Sequence, residues 1–89
     1  MEHRTTAAYS REYHALDVNI QRMADKQFLL LKSDPQHPSL QPKKLGERTG
    51  QEIWSARVTQ SYRALAIKKP DGYLWFWVGD HRTYELLIG

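Results

Sequence analysis

Arg57 and Arg63 flank a turn expected at Thr59-Gln60-Ser61, a spacing that sets them across a short hairpin from each other. Two guanidinium groups held together with little between them attract an anion. The planar fork binds phosphate oxygens bidentately and stays charged at physiological pH, as stabilisation of a pentacoordinate phosphorane requires. The alternative is structural, with Arg57 paired to Glu52 or Glu47 and Arg63 to Asp80. His81 follows a strand end at Gly79, where loops commonly present functional groups, and imidazole moves protons near neutral pH; it is the best acid or base candidate. A lone histidine on a surface more often has no role. Tyr84 can stack on a base or orient a phosphate, or anchor the C-terminal segment as a half-buried tyrosine.

The elements that would position these residues follow from periodicity. Tyr9, Tyr13 and Leu16 recur at helical spacing, and Asp17 is an N-cap for a second helix in which Ile20, Met23, Ala24, Gln27, Phe28 and Leu31 form one stripe. Asp34-Pro35 ends it. A stripe of that kind must cover something flat. Pro35, Pro38 and Pro42 make an extended connector with Leu40 as its only strongly apolar residue. From Leu45 onward the period is two: Trp54, Ala56 and Val58 alternate with Ser55, Arg57 and Thr59, which puts Ser55 and Arg57 on the face away from the helices. Tyr62–Ile67 gives the next strand, Pro70-Asp71-Gly72 a hairpin turn, and Tyr73–Val78 an apolar strand suited to the sheet centre. Gly79–Thr83 reads as a break before a short apolar tail, Tyr84–Ile88, and an edge strand is expected around Arg4–Ala7. The expected fold is α+β: two N-terminal helices packed on one face of a curved, mainly antiparallel sheet of four to five strands, in a single domain spanning residues 1–89.

Composition bounds the functional classes. The chain has 89 residues, 40% of them hydrophobic, and holds no apolar run long enough to span a bilayer, so no membrane partner is expected. It has no cysteine, which excludes disulfides and thiolate metal sites, and its first residues lack the apolar stretch of a secretory signal; a cytoplasmic location is the expectation. His3, His14, His37 and His81 are scattered without ligand spacing, so no metal site is expected, and isolated glycines form no nucleotide-binding loop, so neither is a small-molecule cofactor. The net charge of +3 is unevenly distributed. Residues 41–69 hold Lys43, Lys44, Arg48, Arg57, Arg63, Lys68 and Lys69 against only Glu47 and Glu52, a segment that would attract an anionic polymer or be merely a solvated face.

Four stretches, taken in order, are more specific than any one alone: His37-Pro38-Ser39-Leu40 leading to Lys43-Lys44-Leu45, then Trp54-Ser55-Ala56-Arg57-Val58, then Tyr62-Arg63-Ala64-Leu65, then Trp77-Val78-Gly79-Asp80-His81 with Tyr84. From Arg4 to Ile88 the chain resembles the RelE/ParE toxins of bacterial type II toxin–antitoxin systems. The resemblance implies a metal-independent endoribonuclease that inhibits translation by cutting messenger RNA on the ribosome, through attack of a ribose 2′-hydroxyl on the adjacent phosphate. On the matching positions Arg57 and Arg63 would neutralise that phosphate, His81 would protonate the leaving 5′-oxygen and Tyr84 would orient the nucleotide. Lys43, Lys44, Arg48 and Arg82 would bind the message or ribosomal RNA. The resemblance also implies a cognate antitoxin protein as partner. The general base is where the chain departs from the pattern: some members carry a glutamate where Lys43 stands, others a lysine where Ser55 stands, and Glu47 or Glu52 would substitute only if a Gly46–Gly50 loop folded inward. The same superfamily includes members that poison DNA gyrase and need no acid–base histidine, and a catalytically silent module binding antitoxin or RNA is a further alternative.

Overall fold

A computed structural model describes residues 2–88 of the chain. The elements run β1 (Glu2–Thr5), α1 (Ala7–His14), α2 (Val18–Ser33), a 3-10 turn (Pro38–Leu40), β2 (Lys43–Arg48), β3 (Gln51–Thr59), β4 (Tyr62–Lys69), β5 (Gly72–Asp80) and α3 (His81–Ile88). The strands form one sheet in the order β1-β5-β4-β3-β2. β2 to β5 are antiparallel neighbours, and β1 returns parallel to β5 at the edge. The α+β class, the curved and mainly antiparallel sheet and the two N-terminal helices are as the periodicity requires.

Both helices start on side-chain caps. Thr6 accepts from the Tyr9 amide at 3.1 Å, and Asp17 accepts from the Asn19 amide at 2.9 Å, each satisfying one of the amides that a first turn leaves unpaired. Their apolar stripes lie on a face made of Ala56, Val58, Ala64, Ala66, Trp75 and Val78, with Tyr9 and Ala24 as their most buried apolar residues. Alanines at three cross-strand positions let the helices approach closely, and the Trp75 indole fills the remaining volume. Gln27, expected only as part of the apolar stripe, is buried and donates through Nε2 to the carbonyls of Ser39 (3.1 Å) and Arg57 (2.9 Å). It thereby ties α2, the 3-10 turn and β3 together.

Four expectations need correction. The edge strand is Glu2–Thr5, not Arg4–Ala7, because Thr6 is spent as a cap and Ala7 opens α1. Gly46–Gly50 is no loop: β2 runs through Arg48 and turns at Thr49-Gly50, whose φ angles of 50° and 79° make the left-handed pair that matches hairpin twist. The proline-rich connector folds into a 3-10 turn that buries Leu40 completely. β5 continues to Asp80, and Tyr84–Ile88 belongs to a third helix rather than an extended tail. Asp80 supplies the reason, since its Oδ1 accepts from the Thr83 amide at 2.7 Å, capping a helix in place of the expected break. That bond holds the Asp80 carboxyl below its ordinary pKa.

Register irregularities tune the sheet. The pairing shifts between Lys44 and Gly46 in β2, between Arg57 and Thr59 in β3, and opposite Leu65/Ala66 in β5, leaving Leu45, Val58 and Phe76 as extra residues. Bulges of this kind bend the strands and strengthen twist. The third keeps Trp75 and Val78 on one face although they are three residues apart, and turns Trp77 to the other. Gly72 is required for β1 to dock, since a Cβ there would overlap the Glu2 backbone.

Candidate active site

Arg57 and Arg63 are Cα register partners across the β3–β4 hairpin, and by the same register Ser55 faces Leu65 and Leu65 faces Trp77. These residues share the face away from α1 and α2. The structural pairings weighed for the two arginines are not formed: Asp80 caps α3, Glu52 accepts from Trp54 Nε1 at 2.9 Å, and Lys44 lies 3.0 Å from Glu47 and 3.9 Å from Glu52. Among the described residues Arg57 has no ion-pair partner.

Arg63 is held instead by neutral groups. Its Nε and Nη2 donate to Ser55 Oγ at 3.3 and 2.9 Å, and Nη2 also donates to the Gln41 carbonyl at 2.9 Å. Gln41 reaches it because its backbone turns through a left-handed conformation, φ 40°, as the chain leaves the 3-10 turn. Beneath the guanidinium lies the Tyr84 ring, 5.5 Å from Arg63 Cζ. Tyr84 is 4% exposed, and its hydroxyl sits 3.3 Å from the same Ser55 oxygen. On Tyr84's other neighbouring positions are the His81 ring, with centroids 5.6 Å apart, and the Trp77 ring, at 6.5 Å. The Trp77 indole leans along β5 over Gly79, where a Cβ would collide with it, so glycine at the register partner of Arg63 makes room for the aromatic row.

His81 is the first residue of α3. Its backbone amide donates to the Ser61 carbonyl at 2.6 Å, which pins the start of α3 to the β3–β4 turn, and its Nε2 is 2.8 Å from Glu85 Oε1 one helical turn on. Nε2 thus faces Glu85 and Nδ1 is the ring nitrogen left for another molecule. The face is accordingly not free of helix, as the sequence alone suggested: α3 crosses part of it and carries His81 and Tyr84 to Arg63.

Arg63, His81 and Tyr84 therefore come together, with Tyr84 buried below the surface rather than offered to it, and Arg57 stands beside them as the register partner of Arg63 on the same face. The four expected to bind a polyanion do not form one patch. Lys43 pairs in register with Ser55 and is exposed on the arginine face, whereas Lys44 pairs with Trp54 on the opposite face and is engaged by carboxylates, so its contact with Glu47 raises its pKa. Arg48 lies at the end of β2 beside a groove of about 470 Å3 lined by Leu45, Ile53, Leu65, Phe76, Trp77 and Leu87. Arg82 is exposed on α3. Glu47 and Glu52, weighed as a general base, are both tied to Lys44 and stand apart from the arginines. Sequence reasoning placed Ser55 on the arginine face but gave it no role beyond standing where some toxins have lysine, and it passed over Glu85, which carries a legible signal, its i,i+4 spacing from His81.

No group of His, Asp and Glu side chains among the described residues is arranged to hold a metal ion, and no helix is long and apolar enough to cross a membrane.

Comparison with known proteins places these features in context. A family described as the ParE-like toxin domain matches residues 18–86. Among solved structures, an archaeal RelE–RelB complex from Pyrococcus horikoshii OT3 aligns with TM-score 0.70 and 12% identity, over 89% of this chain and 92% of that one. A YoeB/ParE toxin from Agrobacterium tumefaciens aligns at 0.68 and 17% identity, over 91% and 99%. A copper-bound mutant toxin from Helicobacter pylori aligns at 0.65 and 13%, over 93% and 97%. At these identities the likeness is one of fold. The search of curated proteins found no match.

Proposed function

The chain belongs to the ParE-like toxin domain family, and we propose that it is the toxin of a type II toxin–antitoxin pair, acting as a metal-independent endoribonuclease. The observation that carries this reading is the grouping of Arg63 and His81 about one ring, with Arg63 Cζ 5.5 Å and the His81 centroid 5.6 Å from Tyr84. A permanent cation and a proton donor are what phosphodiester cleavage needs near one phosphate.

In the proposed reaction the ribose 2′-oxygen attacks the adjacent phosphorus and the bond to the 5′-oxygen breaks, leaving a 2′,3′-cyclic phosphate and a 5′-hydroxyl end. Arg57 and Arg63 neutralise the charge that gathers on the phosphoryl oxygens, with Lys43 flanking them on the same face. His81 delivers a proton from Nδ1 to the departing 5′-oxygen while Glu85 holds Nε2. Tyr84 supports both groups from below. With no carboxylate among the described residues in ion-pair contact with Arg57 or Arg63, loss of the 2′-proton falls to water, so rate rests on charge neutralisation and the acid. The message is taken up on the ribosome, Lys43, Arg48 and Arg82 supplying salt-sensitive phosphate contacts. A cognate antitoxin is the expected protein partner, as RelB is in the complex to which this fold is similar.

The test is RNA cleavage by the purified protein with and without ribosomes, the new 5′-ends being mapped. Cleaved message lost on His81→Ala supports the proposal. Intact message together with linearised plasmid in the presence of DNA gyrase would replace it by the gyrase-poison reading.

A further inference from the structure

Ser55 is the most buried polar side chain of the site, 1% exposed, yet serine in a strand carries no chemical signature of its own. Its oxygen is the point where three segments meet. Arg63 of β4 donates two N–H groups to it and the Tyr84 hydroxyl of α3 stands 3.3 Å away, while the same guanidinium nitrogen Nη2 reaches the Gln41 carbonyl after the 3-10 turn. A hydroxyl oxygen has two lone pairs and one proton. The two Arg63 N–H groups and the Tyr84 hydroxyl all donate toward this one oxygen, which leaves no lone pair free for Ser55 to act as a base or nucleophile.

The same accounting applies to Arg63. A guanidinium has one N–H at Nε and two at each Nη. The Nε and Nη2 edge is spent on Ser55 and Gln41, and among the described residues Nη1 has no partner. From this geometry we infer that Ser55 is a positioning residue: it clamps the inner edge of Arg63 and turns the Nη1 end outward as the phosphate-binding end. The inference rests on the proposed reading of the site and specifies how its principal cation is aimed. A long, flexible side chain oriented before the anion arrives needs no ordering on binding, which is where the gain in affinity comes from.

The experiment follows the Arg63 Nε–H resonance, assigned with Arg63→Lys, in full-length protein, and titrates it with inorganic phosphate. In the wild type the resonance is protected from solvent exchange and moves on phosphate addition. Ser55→Ala should expose it to exchange and weaken phosphate binding about tenfold, the scale of one lost hydrogen bond to a charged donor. Ser55→Cys, which preserves volume with a weaker acceptor, should fall between, and Ser55→Thr, which keeps the hydroxyl, should restore both signals. A Ser55→Ala protein with protected Nε–H and unchanged phosphate affinity overturns the assignment. So does a wild-type resonance that phosphate does not move. If both readouts behave as expected and the wild type cleaves no RNA, the positioning role stands and the nuclease reading fails.

Discussion

The helix-bearing face of the sheet presents Ala56, Ala64, Ala66, Trp75 and Val78, while the same strands present Ser55, Arg57, Arg63, Leu65 and Trp77 on the other. The first set is small or apolar and closes against two capped helices. The second mixes cations, a hydroxyl and aromatic edges, and is crossed only by the eight-residue α3. Strand alternation assigns each residue to one task, so folding and chemistry are separated by a single step along the chain. Substitutions on the two faces should therefore fail in different ways.

The largest effect should come from His81→Ala, expected to reduce RNA cleavage by about 10² to 10⁴ with little change in thermal midpoint, since a positioned proton donor acts on the barrier alone. Equal cleavage by mutant and wild type would remove the histidine from the mechanism. Trp75→Ala should show the converse. It should cost about 3 to 5 kcal/mol of stability in denaturant titration, the usual price of deleting a buried indole, and the protein that remains folded should retain its cleavage rate. A folded Trp75→Ala protein that is stable but inactive would erase the distinction between the faces.

Gln27→Leu probes a side chain that ties the helix layer to the strand carrying Arg57. Its amide reaches from α2 to the backbone carbonyl of Arg57, so replacement removes a donor from the part-buried carbonyls of Arg57 and Ser39. The expected loss is about 1 to 3 kcal/mol of stability, accompanied by a smaller fall in cleavage as β3 loosens beneath the site. A stability loss with no change in cleavage would show that Arg57 keeps its position independently of α2.

What the sequence revealed follows the strength of its periodic signals. The α2 stripe, the alternation through β3 and β4, and the Pro70-Asp71-Gly72 turn each repeat a local rule over several residues, and each appears where expected except that Met23, placed in the stripe, lies exposed on the helix flank. α3 was not legible because Gly79-Asp80 satisfies the pattern of a break equally well, and only the bond from Thr83 to Asp80 identifies a cap. The bulges at Leu45, Val58 and Phe76 depend on pairing partners that no single strand displays. In the site, Arg57, Arg63 and His81 were recognisable by residue type, while Ser55 was not, because a serine's role is set by what donates to it. Lys43 and Lys44 show the opposite error: equal in type, they are divided between two faces by strand alternation.

Acidification should separate the faces without mutation of the site. His3 of β1 stacks on Tyr73 at 5.5 Å and its Nδ1 accepts from Trp75 Nε1 at 3.1 Å, so it belongs to the helix-bearing side and must be neutral to make that bond. Burial, then the Lys32 ammonium and the chain's amino terminus, lower its pKa below 6.5, outweighing a hydrogen bond with the Leu31 backbone. With the folded pKa depressed, the imidazole's contribution is complete above 6.5 and shrinks as pH falls toward the folded value. Glu12 of α1 works against this at lower pH. Its burial raises the carboxyl above 4.5, and one carboxyl oxygen is buried without a partner, so its protonation favours the folded state. Asp80 on the opposite side has a pKa held below 3.8, so its cap is kept until pH drops under that value. Between about pH 7 and pH 5 the wild type should therefore lose stability more steeply than His3→Phe, which keeps an aromatic ring and removes the titration. Parallel slopes for the two proteins would show that the β1 side is no more acid-sensitive than the site it supports.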